Sequence, residues 1–197
     1  YTGHQDVAIG SVLANRNRVE FEPLIGMIAN TVILRTDLSS DPTVKEVLQR
    51  VRKTTLEAYR NCDLPIEEVL RSVRTTNSAD RYAPFRSMLI MQKSVRRAWS
   101  LPGVSVTLMD IDPETARQDL LLELKENGQH LGGWFEYNTD LFEAATIERL
   151  AGHLHTLLGA MLADPERQIS RLDLLMEPER RLLLENQALR RHLHAPD

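Results

Sequence analysis

The chain has 197 residues, of which 42% are hydrophobic and 26% are charged, so it is long and apolar enough to form a globular core. This composition excludes a collagen, a coiled coil and a disordered tail. The chain carries 24 Lys and Arg against 28 Asp and Glu, and the resulting net charge of −4 argues against a broad cationic surface for nucleic acid or anionic lipid.

The cysteine content and the start of the chain bear on its compartment. Cys62 is the only cysteine and cannot form an internal disulfide, which favours a reducing, cytoplasmic setting. No apolar run approaches the roughly 20 residues that cross a bilayer, and residues 1–6 lack the features of a signal peptide. We therefore expect no membrane partner. The chain begins without Met and enters an apolar run almost at once, so we expect a domain from a longer polypeptide.

The first elements in chain order are two predicted strands. β-branched residues at 7–13 and 31–35 are typical of strands, and the first is expected to be buried on both faces. Gly26 lies in the apolar connection between them and indicates a bend or a close approach of two backbones.

The next elements are two predicted helices. Residues 41–43 read Asp-Pro-Thr and are followed by Glu46, which is the spacing of a capping box at a helix start. Apolar residues at helical intervals then extend this helix to about Arg60. Pro65 opens a shorter helix that is expected to end near Val73.

The middle of the chain predicts three or four more strands. They fall at about 86–92, 104–110, 119–126 and 130–138, with period-two patterning clearest in the second. The dipeptide at 127–128 is Asn-Gly, a strong hairpin signal because both residues tolerate positive φ. We therefore expect the last two strands to pair antiparallel.

The last third predicts a long amphipathic helix and a tail. Asp140 and Glu143 have the spacing of another capping box, and apolar residues from Ile147 onward define a helix that ends at 164–165 and should lie on a sheet. A highly charged tail helix begins at Pro178. The whole pattern predicts an α+β fold, an α/β sandwich whose mixed, mostly antiparallel sheet is packed by helices.

The residue patterns offer no self-contained catalytic or metal site. The six histidines fall in no nucleophile elbow, zincin helix or zinc-finger spacing, and His153 and His155 are too close in sequence to share one metal from one helix face. Cys62 is expected to be a small buried side chain. The Gly-Gly pair at 132–133 lies inside a strand pattern and indicates a bulge or tight packing.

Five segments, in order, match motifs of one family. They are 1–16, 25–35, 61–67, 84–92 and 136–142. The second reads Ile-Gly-Met-Ile-Ala-Asn-Thr-Val-Ile-Leu-Arg and resembles the motif Ile-Gly-x-Phe-Val-Asn-Thr-x-x-x-Arg. The third resembles His/Asn-Gln-Asp-x-Pro-Phe-Glu, with Cys62 replacing Gln and Ile66 replacing Phe. Together they resemble the carboxy-terminal half of nonribosomal peptide synthetase condensation domains.

The resemblance implies that residues 1–175 form the carboxy-terminal subdomain. Residues 176–197 are then expected to be a linker or tail that leads towards a following domain. The resemblance also implies a chloramphenicol-acetyltransferase-like fold, in which two α/β subdomains form a V around a tunnel. The family's reactive imidazole comes from a His-His-x-x-x-Asp-Gly motif in the amino-terminal subdomain, and no His-His pair occurs here. This chain is therefore expected to be inactive alone.

The resemblance also implies partners and tethered substrates. The partners are the amino-terminal condensation subdomain, the donor and acceptor carrier proteins and a downstream adenylation domain, with no nucleic acid and no membrane. No cofactor is expected to be bound by this chain, because the phosphopantetheine arms of the carrier proteins enter the tunnel as tethered substrates.

The resemblance assigns six residues of this chain to motif or tunnel positions of the family. They are Gly26, Asn30, Arg35, Asp63, Pro65 and Gln92. None of them is expected to be a catalytic residue or a metal ligand. For Arg35 the alternatives are an ion pair or hydrogen bond that locks the strand against the neighbouring subdomain, and contact with the substrate. The side chain of Asn30 is equally suited to cap a turn. Arg86 departs from the family pattern, in which Gln is common, and adds charge near a tunnel strand.

Two functions from different classes remain open. The first is the acceptor-side half of an amide-forming condensation domain. The second is a non-catalytic condensation-like module that recruits another protein or a carrier protein. Epimerisation is disfavoured because the Asn-Thr pair within 25–35 resembles condensation domains more closely than epimerisation domains.

Overall fold

A computed structural model describes the chain except residues 17, 73–84, 94–102, 107–108, 110–113, 129 and 194–197, and except the side chains of residues 93, 127 and 186–193. The chain divides into two compact units. The larger unit comprises Tyr1–Asp37 and Arg50–Phe142, and the smaller unit comprises Leu38–Gln49 and Glu143–Asp197.

Five strands and four helices follow one another along the described chain. The strands are β1 Asp6–Leu13, β2 Asn30–Asp37, β3 Ser87–Lys93, β4 Leu120–Asn127 and β5 His130–Tyr137. The helices are α1 Val44–Arg60, α2 Ile66–Ser72, α3 Ala144–Ala163 and α4 Glu177–Leu193. Short 3-10 turns lie at Val19–Phe21 and Ile169–Arg171. The predicted elements agree with these bounds to within a few residues, except for the predicted strand at 104–110. Residues 107, 108 and 110 lie outside the described residues, and the described residues 104–106 and 109 form no strand beyond a single bridge residue at 104.

The five strands form one mixed sheet in the larger unit, with the order β2-β1-β3-β4-β5. The neighbours in sequence, β1 with β2 and β4 with β5, pair antiparallel along their whole length. The pairs β1 with β3 and β3 with β4 are parallel. The Asn-Gly hairpin prediction is confirmed, because Asn127 pairs with His130 and Gly128 has a φ of +66°.

β1 is an inner strand, but its side chains are not fully covered. Only Gly10 is buried along this strand, and Val12 is 37% exposed. The expectation that β1 is buried on both faces is therefore wrong for this chain. Pairing on both edges satisfies the backbone of an inner strand, whereas burial of its side chains requires other elements on the two faces of the sheet.

In the larger unit, the ring of Phe85 packs closely against Gly10 of β1. Val32, Cys62 and Met88 are its buried apolar residues among those described. A Cβ at Gly10 would overlap the ring of Phe85, so glycine at this position leaves room for that ring.

The capping box at the start of α1 is formed as predicted. The Thr43 N–H donates to Glu46 Oε2 at 2.8 Å, and the Glu46 N–H donates to Thr43 Oγ1 at 3.3 Å. Val44, the first residue of α1, is 1% exposed and is the most buried side chain described.

The predicted capping box at the start of α3 is not formed. The N-cap residue is Glu143, whose side chain makes no capping bond, and α3 begins at Ala144. Asp140 instead donates its N–H to Asn138 Oδ1 at 2.9 Å. The Asn138 carbonyl accepts the N–H groups of Leu141 and Phe142. Asp140 therefore belongs to a turn stabilised by Asn138, which ends before the helix begins.

Backbone bonds join the two chain segments of the smaller unit. The N–H of Val44 donates to the Arg167 carbonyl at 3.0 Å, and the N–H of Ile169 donates to the Pro42 carbonyl at 3.0 Å. Ile147 and His153 of α3 are buried in the same unit. In the described part of the chain, no helix is long and apolar enough to cross a membrane.

Candidate functional site

The sheet topology brings most of the candidate positions to one end of the larger unit. β1, β3 and β4 are parallel and run antiparallel to β2 and β5. The carboxyl ends of the first three strands therefore meet the amino ends of the other two. Asn30 begins β2, and Gln92 lies near the end of β3. Gly26 lies in the connection that leads into β2, so all three occupy this end of the sheet.

Asn30 ties the beginning of β2 to the loop between α1 and α2. Its Nδ2 donates to the carbonyls of Cys62 and Leu64, both at 2.8 Å, and its Oδ1 accepts the N–H of Thr31 at 2.9 Å. One side chain thus holds two carbonyls of a distant loop and one N–H of its own strand. We call Asn15, Asn30, Cys62 and Leu64 the Asn30 cluster.

Asp63 and Pro65 are brought next to Asn30 by these bonds. Asp63 is exposed between the two carbonyls that Asn30 holds. Pro65 precedes α2, and its carbonyl accepts the N–H of Glu68 at 3.0 Å, which starts that helix as predicted. The structure therefore places five of the six candidates at one end of the sheet. Gly26, Asp63 and Pro65 lie in connections, Asn30 begins β2 and Gln92 lies near the end of β3.

Cys62 forms the centre of the Asn30 cluster. It is free and 7% exposed, so the prediction of a small buried side chain is confirmed. Its Sγ lies 3.7 Å from Oδ1 of Asn15, which follows β1 with a φ of +51°. Asn is among the few residue types that adopt this conformation at low cost. The end of β1, the beginning of β2 and the α1–α2 loop thus meet at Cys62, whose thiol contacts Asn15 and whose backbone carbonyl contacts Asn30.

Arg16 fixes the connection that contains Gly26. Its Nη1 donates to the carbonyls of Phe21 and, at 2.8 Å, of Leu24, and its Nη2 donates to the Gly26 carbonyl at 3.2 Å. A fourth carbonyl, that of Glu22, lies at 3.5 Å. Sequence reasoning missed this role. Residues 14–16, which read Ala-Asn-Arg at the end of the matched segment 1–16, were the available signal. Nothing in a sequence, however, identifies backbone carbonyls as the partners of an arginine.

Arg35 lies apart from the Asn30 cluster. It is five residues further along β2, which is about 17 Å at the usual strand rise of roughly 3.4 Å per residue. Its Nε and Nη2 bind the carboxylate of Asp6 on β1 at distances of 2.6–3.0 Å. The hydrogen bond from Arg35 lowers the pKa of Asp6 and raises the pKa of Arg35 itself. The ion pair joins two strands of one sheet and is exposed to solvent.

Gln92 belongs to a polar stretch across β3, β4 and β5. It is exposed and pairs in register with Lys125 of β4. The Lys125 ammonium lies 4.2 Å from the centre of the Trp134 ring on β5, a cation–π contact that sequence reasoning did not foresee. Arg86, which departs from the family pattern, lies 3.6 Å from Asp119, so a carboxylate of the same unit matches its charge.

In the smaller unit, His153 of α3 contacts Glu179 of α4. It is 8% exposed on α3, and its Nε2 lies 2.7 Å from Glu179 Oε2 on α4. This hydrogen bond is the main reason why the pKa of Glu179 is lowered. A Cβ at Gly152 would overlap the Met176 side chain, so Met176 occupies the space that glycine leaves on α3. His153 is therefore a buried residue of α3 that contacts the beginning of α4.

The Asn30 cluster and Arg16 are suited to hold backbone segments in place. Two amides, a guanidinium bound to carbonyls and a buried thiol can donate and accept hydrogen bonds, but they do not form a nucleophile with an adjacent base. Among the described residues, no group of three or more His, Cys, Asp or Glu side chains could hold a metal ion. The contacts that these side chains make are hydrogen bonds that hold backbone connections in place.

Comparison with known proteins identifies the class. The family model of the condensation domain matches residues 1–184, so the chain belongs to the condensation-domain family of nonribosomal peptide synthetases. Malpinin synthetase of Mortierella alpina is 43% identical over 184 residues, which are 93% of this chain and 2% of that protein. Chondramide synthase of Chondromyces crocatus is 41% identical over 184 residues, again 93% of this chain and 5% of that protein.

Solved structures agree with this class. The X-domain from teicoplanin biosynthesis is 31% identical with a TM-score of 0.78, and the match covers 89% of this chain and 41% of that one. The same domain in a complex with OxyB is 30% identical with a TM-score of 0.76, and the match covers 39% of that chain. The mixed five-stranded sheet with its helices is therefore the chloramphenicol-acetyltransferase-like fold predicted from the motifs. The chain spans well under half of the X-domain chains.

Proposed function

We propose that the chain is the acceptor-side half of a condensation domain, which forms amide bonds between thioesters and amines tethered to carrier proteins. One observation carries this proposal. The condensation-domain model matches residues 1–184, yet the chain covers only 39–41% of the X-domain chains. A domain of this family is thus more than twice the size of the matched region, and the remainder would supply the opposite wall of the tunnel.

The reaction is an aminolysis. The amine nitrogen of the acceptor forms a bond to the thioester carbonyl carbon of the donor, the carbon–sulfur bond breaks, and the proton lost from the amine ends on the departing thiol. This chain contains no His-His pair, so the imidazole that orients or deprotonates the amine comes from the amino-terminal half. This half contributes shape and position, and holding two tethered reactants together greatly accelerates a bimolecular step.

The contacts of the larger unit support this role. Asn30 and Arg16 fix connections at one end of the sheet through bonds to backbone carbonyls. A wall that keeps its shape limits the positions that two flexible phosphopantetheine arms adopt. These arms are substrates delivered by the donor and acceptor carrier proteins. We place the reaction in the reducing cytoplasm, which suits both the free Cys62 and the thiol product.

The test is reconstitution. The chain is assayed with two carrier proteins loaded with aminoacyl groups, first alone and then with the amino-terminal half of the matching condensation domain from chondramide synthase. Mass spectrometry of the acceptor carrier protein detects the dipeptidyl product. We expect product only when both halves are present. Product from this chain alone would contradict the proposal.

A second candidate function is recruitment of a partner protein. The observation that favours it is the 30–31% identity to the teicoplanin X-domain, which has been solved in a complex with OxyB. As a non-catalytic module, the complete domain would bind a partner and form no amide. Binding of OxyB in a pull-down by the reconstituted halves, together with absence of the dipeptidyl product, would favour this function over condensation.

A further inference from the structure

The strand β5 forms one edge of the five-stranded sheet. Its inner side pairs with β4 over its whole length, and among the described residues no strand pairs with its outer side. Residues 130–134 are all exposed and read His-Leu-Gly-Gly-Trp, without Lys, Arg, Asp, Glu or Pro. Charged residues and proline are common means by which sheet edges avoid pairing with other strands. We call the outer side of residues 130–136 the β5 edge.

The opposite edge of the sheet, formed by β2, is covered by side chains of α1. Arg50 Nη1 donates to the Asp37 carbonyl at 2.7 Å, and Thr54 Oγ1 donates to the Arg35 carbonyl at 3.3 Å. Arg35 and Asp37 are themselves charged and exposed. Carbonyls that already accept hydrogen bonds, beside exposed charges, do not favour the addition of another strand. The β5 edge is therefore better suited to strand addition than the β2 edge.

We infer that the β5 edge binds the β5 edge of a second copy of this chain, with the two strands antiparallel about a two-fold axis at Gly133. Backbone hydrogen bonds would then join the two sheets into one. Because such an axis is perpendicular to the sheet, one residue of β5 must lie opposite its own copy. With residue 133 in that position, 132 lies opposite 134, 131 opposite 135 and 130 opposite 136. The inference goes beyond the proposed function and does not depend on it.

The pair formed by Gly132 and Trp134 favours this register. A Cβ at Gly132 would meet nothing within 4 Å, so the space above this residue is open. The Lys125 ammonium lies 4.2 Å from the centre of the Trp134 ring, yet Trp134 remains 42% exposed. In the dimer, Trp134 of the partner subunit covers Gly132, and aromatic side chains stabilise edge glycines in this way. Two-fold symmetry makes this contact twice.

The polar residues at the two ends of the pairing are complementary. His130 is exposed, and Glu136 is half-buried with its Oε1 accepting the Arg117 N–H at 3.0 Å. In the Gly133 register, His130 lies opposite Glu136 of the partner subunit, and cross-strand pairs of opposite charge are stabilising. A register centred on Gly132 would instead place His130 opposite Trp134 of the partner subunit. Of the two registers centred on a glycine, only the Gly133 register makes both favourable pairs.

The experiment measures self-association of the 197-residue chain by sedimentation velocity across micromolar concentrations. We expect a reversible dimer. Gly132→Val should weaken it by about tenfold or more, because the added side chain occupies the space that Trp134 of the partner subunit fills. The same space is open in the single chain, so urea unfolding of Gly132→Val at low concentration should show little loss of stability.

Two changes at His130 should shift the affinity in opposite directions. His130→Lys places a permanent positive charge opposite a carboxylate and should tighten the dimer several-fold, whereas His130→Glu should weaken it by about tenfold. His155→Glu makes the same change at an exposed histidine of α3 and is the matched control, which should leave the affinity unchanged. Amide hydrogen exchange at 130–136 should slow as the concentration rises, while exchange at 30–37 stays constant.

Three results would overturn the inference. The first is a chain that stays monomeric at every concentration. The second is a dimer whose affinity is the same in Gly132→Val and in both His130 variants, since another surface would then form it. The third is equal weakening by His130→Lys and His130→Glu, which would contradict the register. Should Gly132→Val prove unstable, the two His130 variants still decide the question, because a general loss of stability cannot produce opposite shifts.

Discussion

At the residue scale, Asn30 shows how one amide decides the shape of a site. Its three hydrogen bonds reach its own strand and two carbonyls that lie 32 and 34 positions further along the chain. A carboxylate of the same size could accept from Thr31 but could donate to neither carbonyl. The Asn-Thr motif of the family therefore has a structural explanation here that does not involve the substrate.

We expect Asn30→Ala to lower the free energy of unfolding by about 1–3 kcal/mol, because the partly buried hydrogen bond to Cys62 and the exposed one to Leu64 are both lost. Asn30→Asp should be at least as destabilising, since its charge would face both carbonyls. Urea unfolding followed by circular dichroism measures the change. The matched control is Asn61→Ala, which removes one exposed bond to the Glu57 carbonyl. Equal effects of the changes at residues 30 and 61 would show that Asn30 has no special role.

At the element scale, β5 contains two adjacent glycines in different environments. A Cβ at Gly133 would overlap the backbone carbonyl of Glu123 on β4, whereas a Cβ at Gly132 would meet nothing within 4 Å. The tight packing that the sequence indicated for this pair therefore belongs to Gly133 alone. Neighbouring residues of a strand point to opposite faces, which is why the two positions differ.

Gly133→Ala should destabilise the chain by about 1–3 kcal/mol, because the added methyl group must displace backbone in a regular ladder. Gly132→Ala should be neutral or slightly stabilising, since it restricts the unfolded chain without a clash. Thermal unfolding of the two variants provides the comparison. Similar losses of stability at both positions would contradict this account of β5.

The beginning of α4 is attached to α3 by two contacts of different kinds. Glu179 binds His153 at 2.7 Å and also accepts the N–H of Met176 at 3.2 Å. Met176 packs where Gly152 leaves space. The hydrogen bonds are strongest with the ionised carboxylate, whereas the packing of Met176 does not depend on pH. The attachment of α4 therefore has one part that acid weakens and one part that it leaves intact.

The direction of this pH dependence follows from the lowered pKa of Glu179. Its stabilising effect is fully present above the ordinary pKa of a glutamate and is lost as the pH falls through the lowered value. We expect the protection factor for amide hydrogen exchange at the start of α4, which is corrected for the intrinsic exchange rate at each pH, to fall over this acidic range. Glu179→Gln should remove most of that pH dependence. Glu177→Gln, which affects an exposed pair with Arg181, is the control and should retain it.

At the scale of the whole molecule, the chain consists of two units that the order of elements does not reveal. Residues 38–49 belong with 143–197, although more than ninety residues separate them in sequence. Backbone bonds from Val44 and Ile169 and a β-bridge between Thr43 and Gln168 make this connection. Helix α1 begins in the smaller unit and continues into the larger one.

The elements themselves could be predicted because they depend on local patterns. The capping box at Thr43, the helix start at Pro65 and the Asn-Gly hairpin each involve residues within a few positions of one another. The capping prediction at Asp140 failed because Asn138, only two residues earlier, competes for the same turn. Spacing alone cannot rank two local alternatives of similar energy.

The sequence by itself determined the family, the order of strands and helices and the positions of the shared motifs, because periodicity, capping and turn chemistry act over short distances. Only the tertiary structure decided what Arg16, Asn30 and Glu179 bind. The first two bind backbone carbonyls, which every residue carries and which therefore leave no sequence signal. The third binds His153, 26 positions away, and the two meet only because α3 and α4 pack together.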